Sequence, residues 1–169
     1  MALFRRAPKL GVLFVCMGNI CRSPTAEGVF RHRAGAAGLL KRLRVDSAGT
    51  HAGLVGVPPD ARAIAAAARR DYDLRRMAAR RITAKDFTDF HYVLAMDSAN
   101  LRALEALRPE TTRGHVGLLM DFAPHSPQRD IPDPYYGGPD GFEQVLDLIE
   151  ASMAGLLRDV QARLATPEE

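Results

Sequence analysis

The 169-residue sequence has no tryptophan and only two cysteines, Cys16 and Cys21. Two cysteines are too few for a disulfide-stabilised scaffold or for a cysteine-rich zinc site. Long apolar runs are also missing, and none approaches the roughly 18 residues of a membrane-spanning helix. A secretory signal is not expected, because the apolar run after Arg5 and Arg6 is shorter than an h-region of about 7–15 residues. These absences favour a cytoplasmic protein with an ordinary hydrophobic core.

Positively charged residues slightly outnumber negatively charged ones. The chain has 23 Lys and Arg against 20 Asp and Glu, a formal net charge of +3 at pH 7. This excess does not require a nucleic-acid partner, but it suits an enzyme whose substrates carry phosphate. The arginine-rich stretch 69–81 could steer phosphate, although such runs are usually solvated surface, the interpretation we favour. The length fits one domain, predicted to span residues 1–169 with its core at about 9–165.

Strand-like apolar runs alternate with helix-like patterns along the chain. The predicted strands are residues 10–15, 43–47, 92–96 and 116–120. The predicted helices are residues 24–40, 60–70, 84–90, 97–107 and 142–164. This alternation indicates a three-layer α/β fold, a parallel sheet with helices on both faces and the ligand beyond the carboxyl ends of the strands. Residues 1–8 are predicted to be an irregular start, and 122–140 a long loop of the kind that is usually functional.

Residues 12–27 join a strand to a helix through a short loop. The apolar run 12–15 predicts the strand. Ser23 is predicted to cap the helix, with Pro24 at its first position. The loop between them, residues 16–22, would aim backbone N–H groups and the positive end of the helix dipole at one point. An anion is therefore expected there.

Cys16 begins this loop and Arg22 ends it. The positive field favours the thiolate form of Cys16, which is the nucleophilic form. The planar guanidinium of Arg22 matches two oxygens of a phosphate. A nucleophile beneath a phosphate cradle indicates phosphoryl transfer through a cysteinyl-phosphate. The alternative, a structural cysteine in an ordinary turn, is disfavoured because Gly18 permits close backbone approach and Asn19 tolerates an unusual backbone angle.

Residues 15–27, Val-Cys-Met-Gly-Asn-Ile-Cys-Arg-Ser-Pro-Thr-Ala-Glu, resemble the signature of the low-molecular-weight protein tyrosine phosphatases. Residues 133–137, Asp-Pro-Tyr-Tyr-Gly, are similar to that family's second motif. The resemblance extends from about residue 9 to about residue 157. It implies a four-stranded sheet in the order 2-1-3-4, and hydrolysis of phosphotyrosine and aryl phosphates without a metal or other cofactor.

The resemblance also assigns the chemistry. Cys16 is the nucleophile, while Arg22 and the loop amides from Met17 to Arg22 stabilise the equatorial oxygens. Asp133 protonates the leaving phenolate and then activates water. From the residues alone, Asp133 is equally well a turn aspartate before a proline. Asp140 is the rival carboxylate on the same loop.

Five polar and aromatic residues receive supporting roles from the resemblance. Asn19 holds the shape of the loop, Ser23 hydrogen-bonds the thiolate, and Ser47 supports Asn19. Tyr135 forms one wall of the aryl slot, with Tyr136 beside it.

The remaining loop residues, Met17, Gly18, Ile20 and Cys21, complete the predicted phosphate and substrate site. For Met17 and Ile20, plain packing is an equally good explanation. Cys21 is a nearby thiol that could form a disulfide with an oxidised Cys16.

Two positions depart from the family's pattern. Met77 stands where many members carry a histidine that reaches the loop asparagine, so Asn19 is expected to lack one partner. Gly53 stands where many members have an aromatic residue, so the pocket is expected to be more open on that side. His51 is interpreted as a residue of a surface loop.

Two other functions are compatible with this loop. Arsenate reductases share the fold but relay electrons through cysteines outside the loop, and Cys21 is the only thiol here besides Cys16. A non-catalytic phosphotyrosine-binding module would usually have lost Cys16, Arg22 or Asp133. The expected partners of a phosphatase are phosphotyrosine-containing proteins, among them an autophosphorylating tyrosine kinase, with neither nucleic acid nor a membrane span. The expected oligomeric state is a monomer or weak dimer.

Overall fold

The computed structural model describes residues 9–166. Its strands are β1 (Leu10–Cys16), β2 (Leu43–Gly49), β3 (Tyr92–Ala95) and β4 (His115–Leu118). Its α-helices are α1 (Arg22–Ala36), α2 (Ala61–Ala68), α3 (Asp86–Asp89), α4 (Ser98–Leu107) and α5 (Asp140–Ala165). Two 3₁₀ turns cover Leu40–Arg42 and Leu119–Phe122. The predicted irregular start at residues 1–8 lies outside the described residues, as do the ends of the predicted domain 1–169.

The four strands form one parallel sheet in the order β2-β1-β3-β4, which confirms the predicted order. All residues of β1 are buried, as expected of a parallel strand covered on both faces. The chain leaves β1 toward β2 on one side and later returns to β3 on the other. The carboxyl ends of β1 and β3 therefore flank the point where the strand order reverses, where α/β folds bind their ligands.

Helices cover both faces of the sheet, as predicted. Val12 and Phe14 of β1 belong to the larger core cluster, which includes residues of α1 and α5. The alternate side chains, Leu13 and Val15, belong to a second cluster with residues of α3 and α4. Because successive side chains of a strand point to opposite faces, β1 joins both cores and holds the start of the Cys16 loop rigidly.

The predicted start of α1 is wrong. The helix begins at Arg22, Cys21 is the N-cap residue, and no side chain makes the capping hydrogen bond. Ser23 lies inside the first turn, where its hydroxyl serves other partners. Pro24 still fits, because the first helical turn needs no N–H donor from it. The helix ends at Ala36, before the predicted residue 40, and Gly38 follows with a φ of 72°.

Other boundaries differ by a few residues. β2 continues to Gly49 instead of residue 47, and α5 begins at Asp140 instead of residue 142. β4 covers His115–Leu118, where residues 116–120 were predicted, because the 3₁₀ turn begins at Leu119. Within residues 9–166, no helix is both long enough and apolar enough to cross a membrane.

Candidate active site

The loop between β1 and α1 turns its carbonyl groups outward. Three of them accept hydrogen bonds from backbone N–H groups of neighbouring segments, namely Cys16 from Thr50, Met17 from His51 and Ile20 from Asp60. In a trans peptide the N–H points opposite to the C=O, so the N–H groups that follow these carbonyls point toward the interior of the loop. Together with the N-terminus of α1, they form a concave site for an anion.

Gly49, the last residue of β2, lies directly beneath this loop. A Cβ atom there would stand 2.7 Å from the carbonyl oxygen of Met17 and 3.1 Å from the backbone nitrogen of Asn19. Only glycine lets the loop pack this closely against the strand. Asn19 has a φ of 56°, which confirms its predicted unusual backbone angle. Gly49 is not among the residues predicted for the site, although a glycine ending a strand is a signal of close backbone approach.

Three buried polar side chains lie behind the loop. The Sγ of Cys16 is 3.0 Å from the Oγ of Ser23. Asn19 donates from Nδ2 to Ser23 Oγ at 2.9 Å and to Ser47 Oγ at 3.0 Å. Its Oδ1 accepts from the backbone N–H of Arg80 at 3.0 Å. The side chains of Asn19, Ser23 and Ser47 therefore brace the loop from behind.

The expectation that Met77 leaves Asn19 short of a partner is wrong. Asn19 uses both amide hydrogens and its oxygen, because the backbone of Arg80 supplies the missing donor. Met77 instead packs against the larger core cluster. A thioether is a good filler of an apolar gap, and this position contributes packing in place of a hydrogen bond.

Arg22 is almost fully buried and is held in one orientation. Its Nη1 donates to Oδ2 of Asp97 at 2.5 Å and to the carbonyl oxygen of Ile131 at 2.9 Å. Its Nη2 lies 3.6 Å from Oδ2 of Asp133. Asp97 lies two residues beyond the end of β3 and also caps α4, where its Oδ1 accepts from the backbone N–H of Asn100. The sequence predicts Asp97 or Ser98 near the cap of this helix, but not the contact with Arg22. The place of Asp97 at the carboxyl end of a strand was the available signal for the second role.

The loop that follows the 3₁₀ turn brings Asp133 and two tyrosines to the same place. Asp133 is about two-fifths exposed, and its Oδ1 accepts from the backbone N–H of Tyr135 at 3.1 Å. The rings of Tyr135 and Tyr136 are in edge contact, 4.8 Å between centroids. The guanidinium of Arg62 lies 5.4 Å from the Tyr135 ring and 4.8 Å from the Phe142 ring. This stacking ties the tyrosine wall to α2 and α5.

These groups surround a cavity of about 240 Å³. Its lining residues are Cys16, Met17, Gly18, Ile20, Cys21, Arg22, Asp133, Tyr135 and Tyr136. The lining does not include Gly53, where a Cβ atom would meet open space. It also omits Asp140, which is the first residue of α5. Of the two carboxylates considered as acid, Asp133 is the one at the cavity.

Cys21 differs electrostatically from an exposed thiol. Burial raises its pKa to about 12, and the carboxylate of Asp60 acts in the same direction, followed by Cys16 and Asp133. Cys21 is therefore a neutral thiol at neutral pH and adds no negative charge to a site built for an anion.

Four arginines of the arginine-rich stretch 69–81 form ion pairs with carboxylates. Its pairs are Arg69 with Glu143, Arg70 with Glu143, Asp147 and Glu150, Arg75 with Asp73, and Arg80 with Asp46 and Asp86. Such pairing agrees with the interpretation of this stretch as surface rather than as a patch that steers phosphate.

A Cys-x5-Arg loop at the carboxyl end of the central strand of a parallel sheet is characteristic of cysteine-dependent phosphatases. The chain belongs to one family of them: the family profile described as low molecular weight phosphotyrosine protein phosphatase matches residues 11–166. It is thus a protein tyrosine phosphatase by family, a hydrolase of phosphate monoesters.

Individual relatives agree with this assignment. The chain is 38% identical to the low molecular weight protein-tyrosine-phosphatase YfkJ of Bacillus subtilis. The match spans 152 residues, which are 90% of this chain and 96% of the relative. The solved structure of a protein tyrosine phosphatase from Entamoeba histolytica matches with a TM-score of 0.86 and 34% identity, covering 91% of this chain and 98% of that one. A Drosophila arginine phosphatase matches with a TM-score of 0.81 and 32% identity, covering 93% and 99%.

Proposed function

We propose that Cys16, Arg22 and Asp133 carry out the phosphatase reaction of this protein. The thiolate of Cys16 attacks phosphorus, so that the S–P bond forms while the bond from phosphorus to the tyrosyl oxygen breaks. The carboxyl group of Asp133 gives its proton to the departing oxygen. Arg22 and the inward N–H groups of the loop stabilise the charge on the equatorial oxygens. The observation that carries this proposal is the convergence of all three side chains on one cavity.

The second step hydrolyses the cysteinyl-phosphate. Asp133, now a carboxylate, takes a proton from water as the water oxygen attacks phosphorus, and the S–P bond breaks to release phosphate. The hydroxyl of Ser23 donates to the thiolate that departs, from an oxygen 3.0 Å from the sulfur. The fixed positive charge of Arg22 and the loop amides do the work that a metal does in other phosphatases, so no metal or other cofactor is proposed.

The walls of the cavity favour an aryl ester. Met17, Ile20 and Tyr135 line it around the phosphate loop, and they can contact a flat ring on its way to Cys16. An aromatic pair contributes roughly 0.5–1.5 kcal/mol beyond the burial of its area. Met17 and Tyr136 also belong to the exposed large apolar side chains, which suits contact with a protein segment around the phosphotyrosine.

The proposed partners are phosphotyrosine-containing proteins of the cytoplasm. An autophosphorylating tyrosine kinase is one such substrate, since each of its phosphotyrosines presents the required aryl phosphate. We propose that the enzyme acts on them as a monomer or weak dimer, without nucleic acid as a partner.

Purified protein should be tested with a phosphotyrosine peptide, p-nitrophenyl phosphate, phosphoarginine, and arsenate with a thiol reductant. We expect rapid turnover of the two aryl phosphates. Cys16→Ser should abolish turnover but retain phosphate binding, because a hydroxyl is a far poorer nucleophile at neutral pH. Arg22→Lys should also be severe, because an ammonium cannot copy the bidentate geometry.

Two results would overturn these assignments. If Cys16→Ser keeps more than a few per cent of wild-type activity, Cys16 is not the nucleophile. Faster turnover of phosphoarginine or arsenate than of the phosphotyrosine peptide would replace the proposed substrate.

A further inference from the structure

Glu27 of α1 is a buried carboxylate that neither reaction step uses. Its Oε1 accepts from Ser47 Oγ at 2.8 Å, and its Oε2 accepts from Arg31 Nε at 2.8 Å. Arg31 is about half exposed, and its Nη2 also donates to the carbonyl oxygen of Val45. The carboxylate is thus clamped between α1 and β2, one side chain removed from the residues that brace the loop.

Both partners of Glu27 are donors. The hydroxyl of Ser47 gives its single hydrogen, and the guanidinium of Arg31 has only hydrogens to give. Only an ionised carboxylate accepts from both, since an amide would turn an N–H toward one of them. The identity of residue 27 therefore decides where the hydrogen of Ser47 goes.

The direction of this one hydrogen sets the direction of those that follow. Because Ser47 donates to Glu27, its oxygen is available to accept from Asn19 Nδ2. The second hydrogen of Nδ2 goes to the oxygen of Ser23, and the backbone of Arg80 fixes which end of the amide faces the serines. Ser23, having accepted there, keeps its own hydrogen for a further acceptor.

That hydrogen has two possible acceptors in the structure. The sulfur of Cys16 is 3.0 Å from Ser23 Oγ, and the carbonyl oxygen of Ala48 is 3.4 Å away. A thiolate is a charged acceptor and the closer of the two, so it takes the hydrogen. The string of hydrogen bonds from Glu27 thus ends on the sulfur that must carry and release phosphate.

We propose that Glu27, paired with Arg31, is a positioning residue that orients the hydroxyl hydrogen of Ser23 toward Cys16. The inference rests on the proposed nucleophile but concerns a different pair of side chains. Met77 cannot donate a hydrogen bond to this network. Arg31 is therefore the group that balances the negative charge of Glu27.

Arg31 has a further task, because the environment opposes the charge of Glu27. Burial raises the pKa of Glu27, and the nearby Asp46 acts in the same direction. The hydrogen bonds from Arg31 and Ser47 oppose this rise. Asp46 is itself paired with Arg80, so Arg31 is the cation that faces Glu27 directly. Without it, Glu27 takes up a proton more readily and becomes a donor toward Ser47.

The test uses the full-length protein with Glu27→Gln, Arg31→Met and Arg31→Lys. Glu105→Gln is the matched control, because it removes a carboxylate from an exposed helical ion pair with Arg108. Loss of a directed hydrogen bond to a charged group should lower kcat for p-nitrophenyl phosphate roughly tenfold or more in the first two variants. KM should fall together with kcat, because slower release of the thiolate lets the cysteinyl-phosphate accumulate while the phosphate ligands are untouched.

Two readouts separate positioning from a merely structural role. The pH at which iodoacetate alkylates Cys16 half-maximally should move upward, because the thiolate loses a donor. A pre-steady-state burst of p-nitrophenolate should appear or grow, because release of the thiolate slows. Arg31→Lys should recover part of kcat by restoring the charge, and Glu105→Gln should match the wild type.

Wild-type kcat and an unmoved alkylation profile in Glu27→Gln would overturn the proposal, while leaving the result for Cys16→Ser as it stands. A lower melting temperature with both readouts unchanged would overturn it too. If Glu27→Gln does not fold, Arg31→Met decides by the same two readouts, because its side chain is about half exposed.

Discussion

At the scale of single residues, the contribution of Asp133 to the rate should depend on how strongly the leaving oxygen needs a proton. A tyrosyl oxygen has a pKa of about 10, whereas p-nitrophenolate leaves far more easily. General acid catalysis contributes about 10²–10⁴-fold. We therefore expect Asp133→Ala to slow turnover of a phosphotyrosine peptide far more than turnover of p-nitrophenyl phosphate. The alkaline limb of the kcat/KM profile should also disappear, which steady-state rates across pH will show.

Asp140→Ala is the control for this prediction. Asp140 is on the same long connection but outside the cavity lining, at the start of α5. If this variant shows the leaving-group dependence and Asp133→Ala does not, the acid has been assigned to the wrong carboxylate.

Cys21 gives a redox prediction whose pH dependence has a definite sign. Peroxide should oxidise Cys16 to a sulfenic acid, which condenses with the thiol of Cys21 to a disulfide and water. The attacking form is the thiolate, and the pKa of about 12 makes that form scarce at pH 7. Disulfide formation should therefore accelerate as pH rises from 7 toward 9. Activity recovered by dithiothreitol after a peroxide pulse measures it.

In Cys21→Ser the recoverable fraction should be smaller at every pH, because sulfenic acid without a thiol partner proceeds to irreversible forms. Equal recovery in Cys21→Ser and wild type would leave Cys21 as a packing residue.

At the scale of elements, the end of β2 determines whether the phosphate loop can form. Gly49→Ala would place a Cβ 2.7 Å from the carbonyl oxygen of Met17, a backbone atom that cannot turn away. We expect the loop to shift, with at least a tenfold weaker inhibition by inorganic phosphate and a loss of about 1–3 kcal/mol in the free energy of unfolding. Inhibition kinetics and urea titration give the two values.

Gly53→Ala is the matched control, since its Cβ would meet open space. It should bind phosphate like the wild type. A normal loop in Gly49→Ala, judged by unchanged phosphate inhibition, would show that the strand end yields to the extra carbon.

The elements also show what a sequence reveals locally and what it does not. Apolar periodicity located all four strands, and the sequence placed Asp97 or Ser98 near the cap of α4, of which Asp97 is the cap residue. The start of α1 was misplaced because serine is a common N-cap residue. The hydroxyl of Ser23 instead forms hydrogen bonds with Cys16 and Asn19. Local patterns contain no information about such partners, which meet only when β1, β2 and α1 are packed together.

The site residues also fall into those that the sequence could place and those that it could not. The loop residues and Asp133 lie in contiguous motifs, so the resemblance could place them. Glu27 is the last residue of the first motif and Gly49 the last of a strand, but neither position reveals a contact by itself, because those contacts depend on how β2 packs against β1 and α1. The partner of Asn19 was misjudged at Met77, because the donor is a backbone N–H, which every residue except proline possesses.

At the scale of the whole molecule, Arg70 fastens the end of α2 to α5. It pairs with Glu143, Asp147 and Glu150. The hydrogen bonds from Arg69, then Arg70, hold the pKa of Glu143 below its usual value. The stability contributed by a carboxylate of lowered pKa is present above its unfolded pKa of about 4.3 and is lost as pH falls through the folded value.

We therefore expect Arg70→Met to lower the melting temperature at pH 7 by about 2–4 °C, equivalent to about 1 kcal/mol in a chain of this size. The deficit should shrink below pH 4 and in 1 M salt, because exposed pairs are screened. Arg75→Met is the control, since Arg75 pairs with Asp73 two residues away and joins no elements. A deficit that persists unchanged at acid pH would mean that Arg70 acts through packing of its stem.

The anchoring of Arg22 also connects early and late parts of the chain. Its partners Asp97 and Ile131 follow it by 75 and 109 residues. During synthesis the reactive cysteine leaves the ribosome long before the groups that hold the arginine in position. A nascent chain that stops short of residue 131 has made the whole sheet, which ends at Leu118, but has not yet fixed the arginine. Catalytic competence thus needs chain made after all four strands, since Arg22 is not fully held until Ile131 is in place.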